Sequence, residues 1–467
     1  MSFLIVLAAL CFLMLVAYRG YSVILFAPVA AMGAVLLTDP TLVAPMFTGL
    51  FMDKMVGFLK LYFPVFLLGA VFGKLIELSG FSKSIVAATI RIVGAQRAML
   101  SIVLVCALLT YGGVSLFVVV FAVYPFAAEL FRQSDIPKRL IPGTIALGAF
   151  TFTMDALPGT PQIQNIIPTA FFGTDAWAAP VLGTLGGAFI LAVGMAYLEW
   201  RRRVALRAGE GYGDPATLLN EPVAYEGGRL ANPLVAILPL VLVGLSNKWF
   251  THWIPRVYGD SHDFAPSVVG NAAPVVQEVS KVAAIWAVEG ALLVGILAVL
   301  AFAWRTVFAR FAEGTKSAIG GALLASMNTA SEYGFGAVIA ALPGFLVVAN
   351  ALGSIPNPLV NEAVTVTSLA GITGSASGGM SIALAAMADT FIANANAAGI
   401  PLDVFHRVAS MASGGMDTLP HNGAVITLLA VTGLTHRQAY KDIFAITVVK
   451  TVAVFVVIGV FYATGWV

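Results

Sequence analysis

Long apolar runs dominate the chain, and where they are interrupted they are interrupted alike on both sides of its middle. A helix that crosses a bilayer needs roughly 17 to 25 mostly apolar residues. Runs of that order predict spanning helices at about 2–17, 20–38, 61–79, 140–172, 178–198, 232–248, 283–303, 318–333, 403–431 and 443–464. Two further apolar stretches, 98–131 and 361–395, are broken midway by Gly112-Gly113 and by Thr373-Gly374-Ser375-Ala376-Ser377-Gly378-Gly379. These read as helical hairpins that enter the membrane and return, since irregular backbone at that depth persists only where protein or a watery cavity surrounds it. Two runs carry an acid and helix breakers at their centre: Met154-Asp155-Ala156-Leu157-Pro158-Gly159-Thr160-Pro161 and Met416-Asp417-Thr418-Leu419-Pro420-His421-Asn422-Gly423. Paired interruptions of this kind in corresponding halves point to the substrate site of a secondary transporter.

The basic residues orient the pattern. Lys83, Arg91 and Arg97 precede the first hairpin and Arg132, Lys138 and Arg139 follow it, so the positive-inside rule puts both its ends in the cytoplasm. The same rule puts Arg19, the Arg201–Arg207 cluster, Arg305, Arg310 and Lys316, and Arg437 with Lys441 inside, and both termini outside. The flanks of the second hairpin, 355–359 and 396–401, carry no Lys or Arg and fall outside, as does the loop 247–282. The halves therefore have opposite orientation. Gly112-Gly113-Val114-Ser115 matches Gly378-Gly379-Met380-Ser381, Gly80-Phe81 matches Gly334-Phe335, and Ile136-Pro137 matches Ile400-Pro401, all in the same order. The expected fold is an all-α integral membrane protein of two inverted-topology repeats, each of about five transmembrane helices with one re-entrant hairpin and one Pro/Gly-broken helix. The first repeat spans 1–199 (hairpin 98–131, broken helix 140–172), a cytoplasmic linker 200–231, and the second 232–467 (hairpin 361–395, broken helix 403–431).

Composition narrows the function. Hydrophobic residues make up 59% of the chain and charged residues 10%, too little polar surface to face water all round, so the expected surroundings are a lipid bilayer and the protein is multi-pass. No stretch remains for a soluble catalytic domain. The net charge of +2 suggests no nucleic-acid partner. Cys11 and Cys106 lie in apolar stretches, which argues against a disulfide framework or a Cys metal site, and His252, His262, His406 and His436, expected in loops or near interfaces, show no metal-ligand spacing. The first apolar run lacks a basic leader and reads as the first spanning helix.

A broken helix exposes N–H groups at the start of its second half and carbonyls at the end of its first, so it can hold a carboxylate without a full cation. Candidate substrate contacts are Gly112, Gly113, Ser115, Thr373, Ser375, Ser377, Gly378 and Gly379 from the hairpin tips, and Gly159, Thr160, Gln162, Thr418, His421 and Asn422 from the breaks. Glycines there let a ligand approach the backbone. None of the four motifs contains Arg or Lys, and Lys74, beside Glu77, is the nearest intramembrane cation, which favours a small hydroxy monocarboxylate over a di- or tricarboxylate. Asp155 and Asp417 are candidates for coupling, with Glu332 a third; the competing readings are that each Asp only caps its second half-helix, or that the carboxylates hold sodium in place of a proton. Glu129 is expected to pair with Arg132. An intramembrane enzyme using Asp155 and Asp417, and a passive channel, are the remaining classes.

Through Asp155-Ala156-Leu157-Pro158-Gly159-Thr160-Pro161 and Ser413-Gly414-Gly415-Met416-Asp417-Thr418-Leu419-Pro420-His421-Asn422-Gly423, the chain resembles the gluconate:proton symporter family and, more widely, the ion-transporter superfamily. The His421-Asn422 pair is kept, the first break has no His, and Asp155 and Asp417 are additions, a pattern similar to a divergent branch that includes hydroxybutyrate permeases. The resemblance implies a non-enzymatic symporter of the bacterial inner membrane, without a cofactor. It also implies a proton, or else sodium, as coupling ion, a small organic acid as substrate, and a homodimer.

Overall fold

The computed structural model describes residues 2–19, 21–94, 97–214, 218–222, 230–263, 276–345, 347, 355–420 and 422–467. Helices account for almost all of it. The first half begins with α1 (Ser2–Tyr18), α2 (Val23–Thr38), α3 (Asp53–Leu78) and α4 (Phe81–Val93), followed by the paired α5 (Ala98–Tyr111) and α6 (Leu116–Gln133). Next come α7 (Ile141–Ala149), the single turn α8 (Phe152–Asp155), α9 (Ile163–Phe172) and α10 (Pro180–Arg207). The second half contains α11 (Pro233–Tyr258), α12 (Ala283–Phe308), α13 (Phe311–Ala341), the paired α14 (Pro358–Thr373) and α15 (Ala376–Ala398), then α16 (Leu402–Ser413), α17 (Gly423–Thr432) and α18 (His436–Thr464). The helical stretch Pro40–Leu78, together with α10, α11, α12, α15 and α18, is long and apolar enough to cross a membrane. Large apolar side chains face outward along them, among them Val56, Leu245, Leu297 and Phe302, as lipid-facing helices require.

Local sequence sets the boundaries. Pro233 and Pro358 occupy first-turn positions where no N–H is needed, and Asn232 and Asn357 cap the same helices by accepting from Leu234 N and Val360 N. Thr435 and Gln438 form a capping box at the start of α18. Gly399, at φ +63°, ends α15 in the left-handed conformation that a residue without Cβ adopts freely.

Several helices outrun their apolar cores. The helix expected at 61–79 extends back through Lys60, Lys54 and Asp53, that at 318–333 covers Phe311–Ala341, and that at 443–464 begins at His436. Hydropathy registers the lipid-facing part of a helix, whereas the backbone continues through Lys, Glu and Gln, which are good helix formers. The segment α4 had no expected element; it is too short to span and is amphipathic, burying Phe81, Ile85 and Val86 while Ile92 is exposed. Residues 247–258 of the expected outer loop continue α11, and the rest of that loop contains a two-stranded antiparallel ribbon, β1 (Ser261–Asp263) with β2 (Val276–Glu278), joined through residues outside the described set.

Helices α3, α11, α12 and α13 pack lengthwise as one layer. The two helix pairs and the two interrupted helices pack beside it, with α10 and α18 closing the other side. The interrupted helices run antiparallel. Thr174 Oγ1, just past α9, lies 2.6 Å from His406 Nδ1 near the start of α16, and the Phe172 and Phe405 rings are 6.2 Å apart. At the opposite end, the segment after α10 clamps the start of one interrupted helix and the end of the other: Lys138 pairs with Glu221 at 2.8 Å, and Asn220 donates to Ala430 O at 2.7 Å. The described residues of the linker 200–231 thus tie both interrupted helices together. Residues 215–217 and 223–229 of that segment lie outside the described set.

Candidate functional site

Each helix pair meets its own interrupted helix at a break. In the first half, the turn Gly112–Ser115 joins α5 and α6, and Gln162 donates from Nε2 to Thr110 O (2.7 Å) and Val114 O (3.3 Å). Tyr111 Oη donates to Pro158 O at 2.8 Å. In the second half, Asn422 donates from Nδ2 to Gly374 O at 2.6 Å. Gln162 and Asn422 both stand immediately before the second half-helix, so the two breaks grip their helix pairs by equivalent amide bonds. They differ at the helix start: Asn422 Oδ1 also accepts from Ala424 N (2.7 Å) and Val425 N (3.2 Å), while Gln162 makes no side-chain cap on α9.

The opposite sides of the turns rest on the long-helix layer. A Cβ on Gly112 would meet Leu240 of α11 at 2.5 Å, and one on Gly113 would meet Leu292 of α12 at 3.4 Å and Phe72 of α3 at 3.6 Å. Ser115 starts α6 with its backbone N 3.3 Å from a Cβ placed on Gly73 of α3. In the second pair, Ser375 caps α15 by accepting from Gly378 N at 3.1 Å, Thr373 Oγ1 donates to Leu369 O at 3.0 Å, and Ser377 Oγ lies 3.2 Å from Thr329 Oγ1 of α13. Glu332, also on α13, is buried, and its Oε2 has no hydrogen-bond partner. Its carboxylate fills the space that a Cβ on Gly378 would need. Gly379 permits backbone-to-backbone contact within the pair, since its Cβ would sit 2.2 Å from Ala370 Cα. Gly159, at φ +79°, accommodates the Trp177 ring and donates from its N to Ala176 O at 2.7 Å. Thr160 Oγ1 donates to Thr153 O at 2.8 Å. In this conformation Gly112, Gly159, Gly378 and Gly379 thus accommodate the chain's own atoms.

Asp155 and Asp417 converge where the two breaks cross. Lys450 reaches in from α18 and donates to Asp417 Oδ1 at 2.7 Å and to Phe150 O at 2.8 Å; its side chain is 1% exposed and that of Asp417 13%. Asp155 is 2% exposed, and its Oδ1 has no partner. Gly414 makes the convergence possible: a Cβ there would lie 2.0 Å from Asp155 Oδ2 and 3.1 Å from Lys450 Cε. Thr418 hydrogen-bonds Thr447 of α18 through their hydroxyls and accepts at its carbonyl from Tyr440 Oη at 3.2 Å. Glu332 is not part of this junction; it sits at the second helix pair.

Three expectations are corrected here. The nearest cation to the breaks is Lys450, followed by the fully buried Arg407, not Lys74, which pairs with Glu77 at 2.9 Å. A charge in the middle of an apolar run is the signal that marks Lys450. Neither aspartate caps a second half-helix: Asp155 ends α8 and Asp417 binds Lys450, while Gln162 and Asn422 hold the cap positions. His406, expected near an interface, is buried within α16 against Thr174 and Asn165. Glu129 and Arg132 form the expected ion pair. His421 lies outside the described residues.

Arg407 ties the crossing together. It donates from Nε and Nη2 to Ala178 O (3.2 and 2.7 Å), and from Nη1 to Asp155 O (3.2 Å) and Asn165 Oδ1 (2.9 Å). Asn165 in turn donates to Thr160 O and Ala176 O, and Ser410 Oγ donates to Asp155 O at 2.8 Å. Among the described residues, no group of three or more His, Cys, Asp or Glu side chains could hold a metal ion. Clefts of about 550 and 480 Å³ open elsewhere, at Gly57, Lys60 and Glu289 and at Lys54, Tyr62 and Tyr333.

No family model matches the chain. It is 59% identical, over the full length of both proteins, to a Bacillus subtilis (strain 168) protein described as uncharacterized transporter YxjC. In fold it is similar to the crystal structure of the Alcanivorax borkumensis YdaH transporter, with a TM-score of 0.51, 15% identity, and coverage of 92% of this chain and 90% of that one. At that identity the likeness speaks for the fold alone.

Proposed function

Because the chain belongs to the family of the Bacillus subtilis transporter YxjC, we propose that it is a secondary carrier that imports a small hydroxy monocarboxylate, such as 3-hydroxybutyrate or a gluconate-like acid, by cation symport. The observation that carries this reading is the meeting of Asp155 and Asp417 at a buried crossing of two broken helices. A soluble-type enzyme site needs no such break, whereas a carrier needs backbone ends near the middle of the membrane. In this reading the two halves are inverted repeats, a relation supported by the antiparallel interrupted helices and the equivalent roles of Gln162 and Asn422. They rock against the layer of α3, α11, α12 and α13, and the chain acts as a homodimer in the inner membrane. The resemblance to gluconate:proton symporters and hydroxybutyrate permeases supports the substrate class.

The substrate carboxylate is assigned to the start of α9, where Gln162 has turned to the helix pair in place of capping. Three buried polar atoms without partners lie on these segments: Thr110 Oγ1, Gln164 Oε1 and Asp155 Oδ1. Helix-start amides and such atoms suit one carboxylate and a hydroxyl. Arg407 and Lys450 do not alter the choice of a monoanion, because their donors are directed at carbonyls, Asn165 and Asp417. The cation is coupled at the crossing where Asp155 meets the Asp417–Lys450 pair, with Glu332 a further candidate at the second helix pair. The test is uptake of labelled 3-hydroxybutyrate by proteoliposomes under an imposed pH gradient, with citrate as competitor. Saturable accumulation that citrate barely inhibits supports the reading; citrate transport above every monocarboxylate tried overturns it.

A further inference from the structure

The crossing contains a cation of its own. Lys450 reaches it from a helix outside both breaks, is almost fully buried, and gives two donors to Asp417 Oδ1 and Phe150 O. Asp155, equally buried on the facing break, has an oxygen without any partner, and Gly414 brings that carboxylate and the lysine stem together. We propose that Lys450 is a tethered cation occupying the coupling site, so that Asp417 stays neutralised by it and Asp155 alone takes up the transported ion, which is a proton and not sodium. The proposal rests on the carrier reading above and deepens it by assigning the ion.

The charges facing Asp155 are Lys450 from α18, Asp417 from the second break, and Arg407 from α16. Arg407 cannot stand in for the coupling ion: its fork is turned on the backbone oxygens of Ala178 and Asp155 and on Asn165, and Asp175 and Asp403 share its field with Tyr111. Lys450 is therefore the ammonium set between the two breaks. A sodium ion at Asp155 would need several oxygen ligands and would face the fixed ammonium across a poorly screened space, where like charges repel strongly. A proton needs one oxygen and no coordination shell. It bonds to Asp155 Oδ1, leaves the carboxyl neutral, and departs to water when the site opens to the other side.

Removing the ammonium should turn the crossing into a cation site. Two buried carboxylates without a counter-charge would recruit sodium, so Lys450→Met should change the ion that the protein recognises. The first measurement needs no substrate: the melting temperature of the purified full-length protein in NaCl against choline chloride at equal ionic strength, since a ligand that binds only the folded state raises it. Wild type should melt alike in both salts. Lys450→Met should be stabilised selectively by sodium, with a half-saturating concentration at least tenfold below any effect in wild type. Lys450→Met/Asp417→Asn, which removes the pair together, should return to the wild-type pattern. Sodium-selective stabilisation of wild type, or an identical salt response in all three proteins, overturns the proposal.

Should Lys450→Met not fold, the double variant still decides, because a buried pair replaced by neutral groups is tolerated far better than a lone buried charge. Reconstituted, it should keep pH-gradient-driven accumulation of 3-hydroxybutyrate through the intact Asp155. Loss of proton driving with counterflow retained overturns the assignment. Failure of wild type to transport 3-hydroxybutyrate would defeat the substrate reading and leave the salt experiment legible.

Discussion

Arg407→Met separates a structural guanidinium from a substrate-binding one. Arg407 is fully buried and makes four hydrogen bonds, none to a carboxylate. Methionine keeps much of the apolar stem and removes the fork. Ala178 O, which accepts from both Nε and Nη2, then loses both of these donors, at a cost of about 1–3 kcal/mol for a buried acceptor left unpaired. Asp155 O still accepts from Ser410 Oγ, and Asn165 Oδ1 still faces His406 Nε2, so those two losses cost about 0.5–1.5 kcal/mol each. The total, about 2–6 kcal/mol, is a thirtyfold or greater fall in the folded-to-unfolded ratio. Arg407→Lys restores one donor group and should recover part of the loss. The assay is equilibrium unfolding in mixed detergent micelles, paired with 3-hydroxybutyrate uptake by the folded fraction. Wild-type stability in Arg407→Met with a tenfold or greater rise in the KM for uptake would refute the reasoning, because the guanidinium would then be holding substrate.

Three further outcomes follow from the same geometry. Asn422→Ala removes the cap on Ala424 N and Val425 N together with the bond to Gly374 O, and should cost about 1–2 kcal/mol in the same unfolding assay, more than Thr427→Ala on an exposed face. Gly379→Ala would place a Cβ 2.2 Å from Ala370 Cα, a backbone contact that cannot yield, so this variant should lose most of its uptake while Gly423→Ala, with open space at its Cβ, keeps it. In a background without Cys11 and Cys106, a cysteine at Ser134 should react with an impermeant maleimide from the cytoplasm and one at Asn396 from outside; reaction of both from one face defeats the inverted topology.

Much of the architecture was legible because it is written in departures from a simple apolar pattern. The turns at Gly112-Gly113 and Gly374-Ser375, and the breaks after Asp155 and before Asn422, all fall where glycine, proline and an acid interrupt runs long enough to cross a bilayer. Helix ends such as Asp53 and His436 were not legible, because polar helix formers extend a helix without adding hydropathy. The site was legible in part. Asp155 and Asp417 announced themselves within motifs, whereas Lys450 and Arg407 act from elsewhere in the chain, and a periodic pattern does not say which distant helix faces a break. The isolated charge of Lys450 among Val448, Val449, Val452 and Val454 was the available signal. The glycines carried a double meaning: at Gly378 and Gly414 the absent Cβ makes room for Glu332 and Asp155, a use that sequence spacing does not distinguish from room for a ligand.

The most direct test of coupling through the crossing is Asp155→Asn in proteoliposomes, with 3-hydroxybutyrate accumulation under an imposed pH gradient measured beside counterflow at equal pH. Asn keeps the size and hydrogen-bonding capacity of the side chain and cannot exchange a proton. The account predicts that gradient-driven accumulation falls to the passive level while counterflow persists. Wild-type accumulation by Asp155→Asn would contradict it and remove this acid from the mechanism.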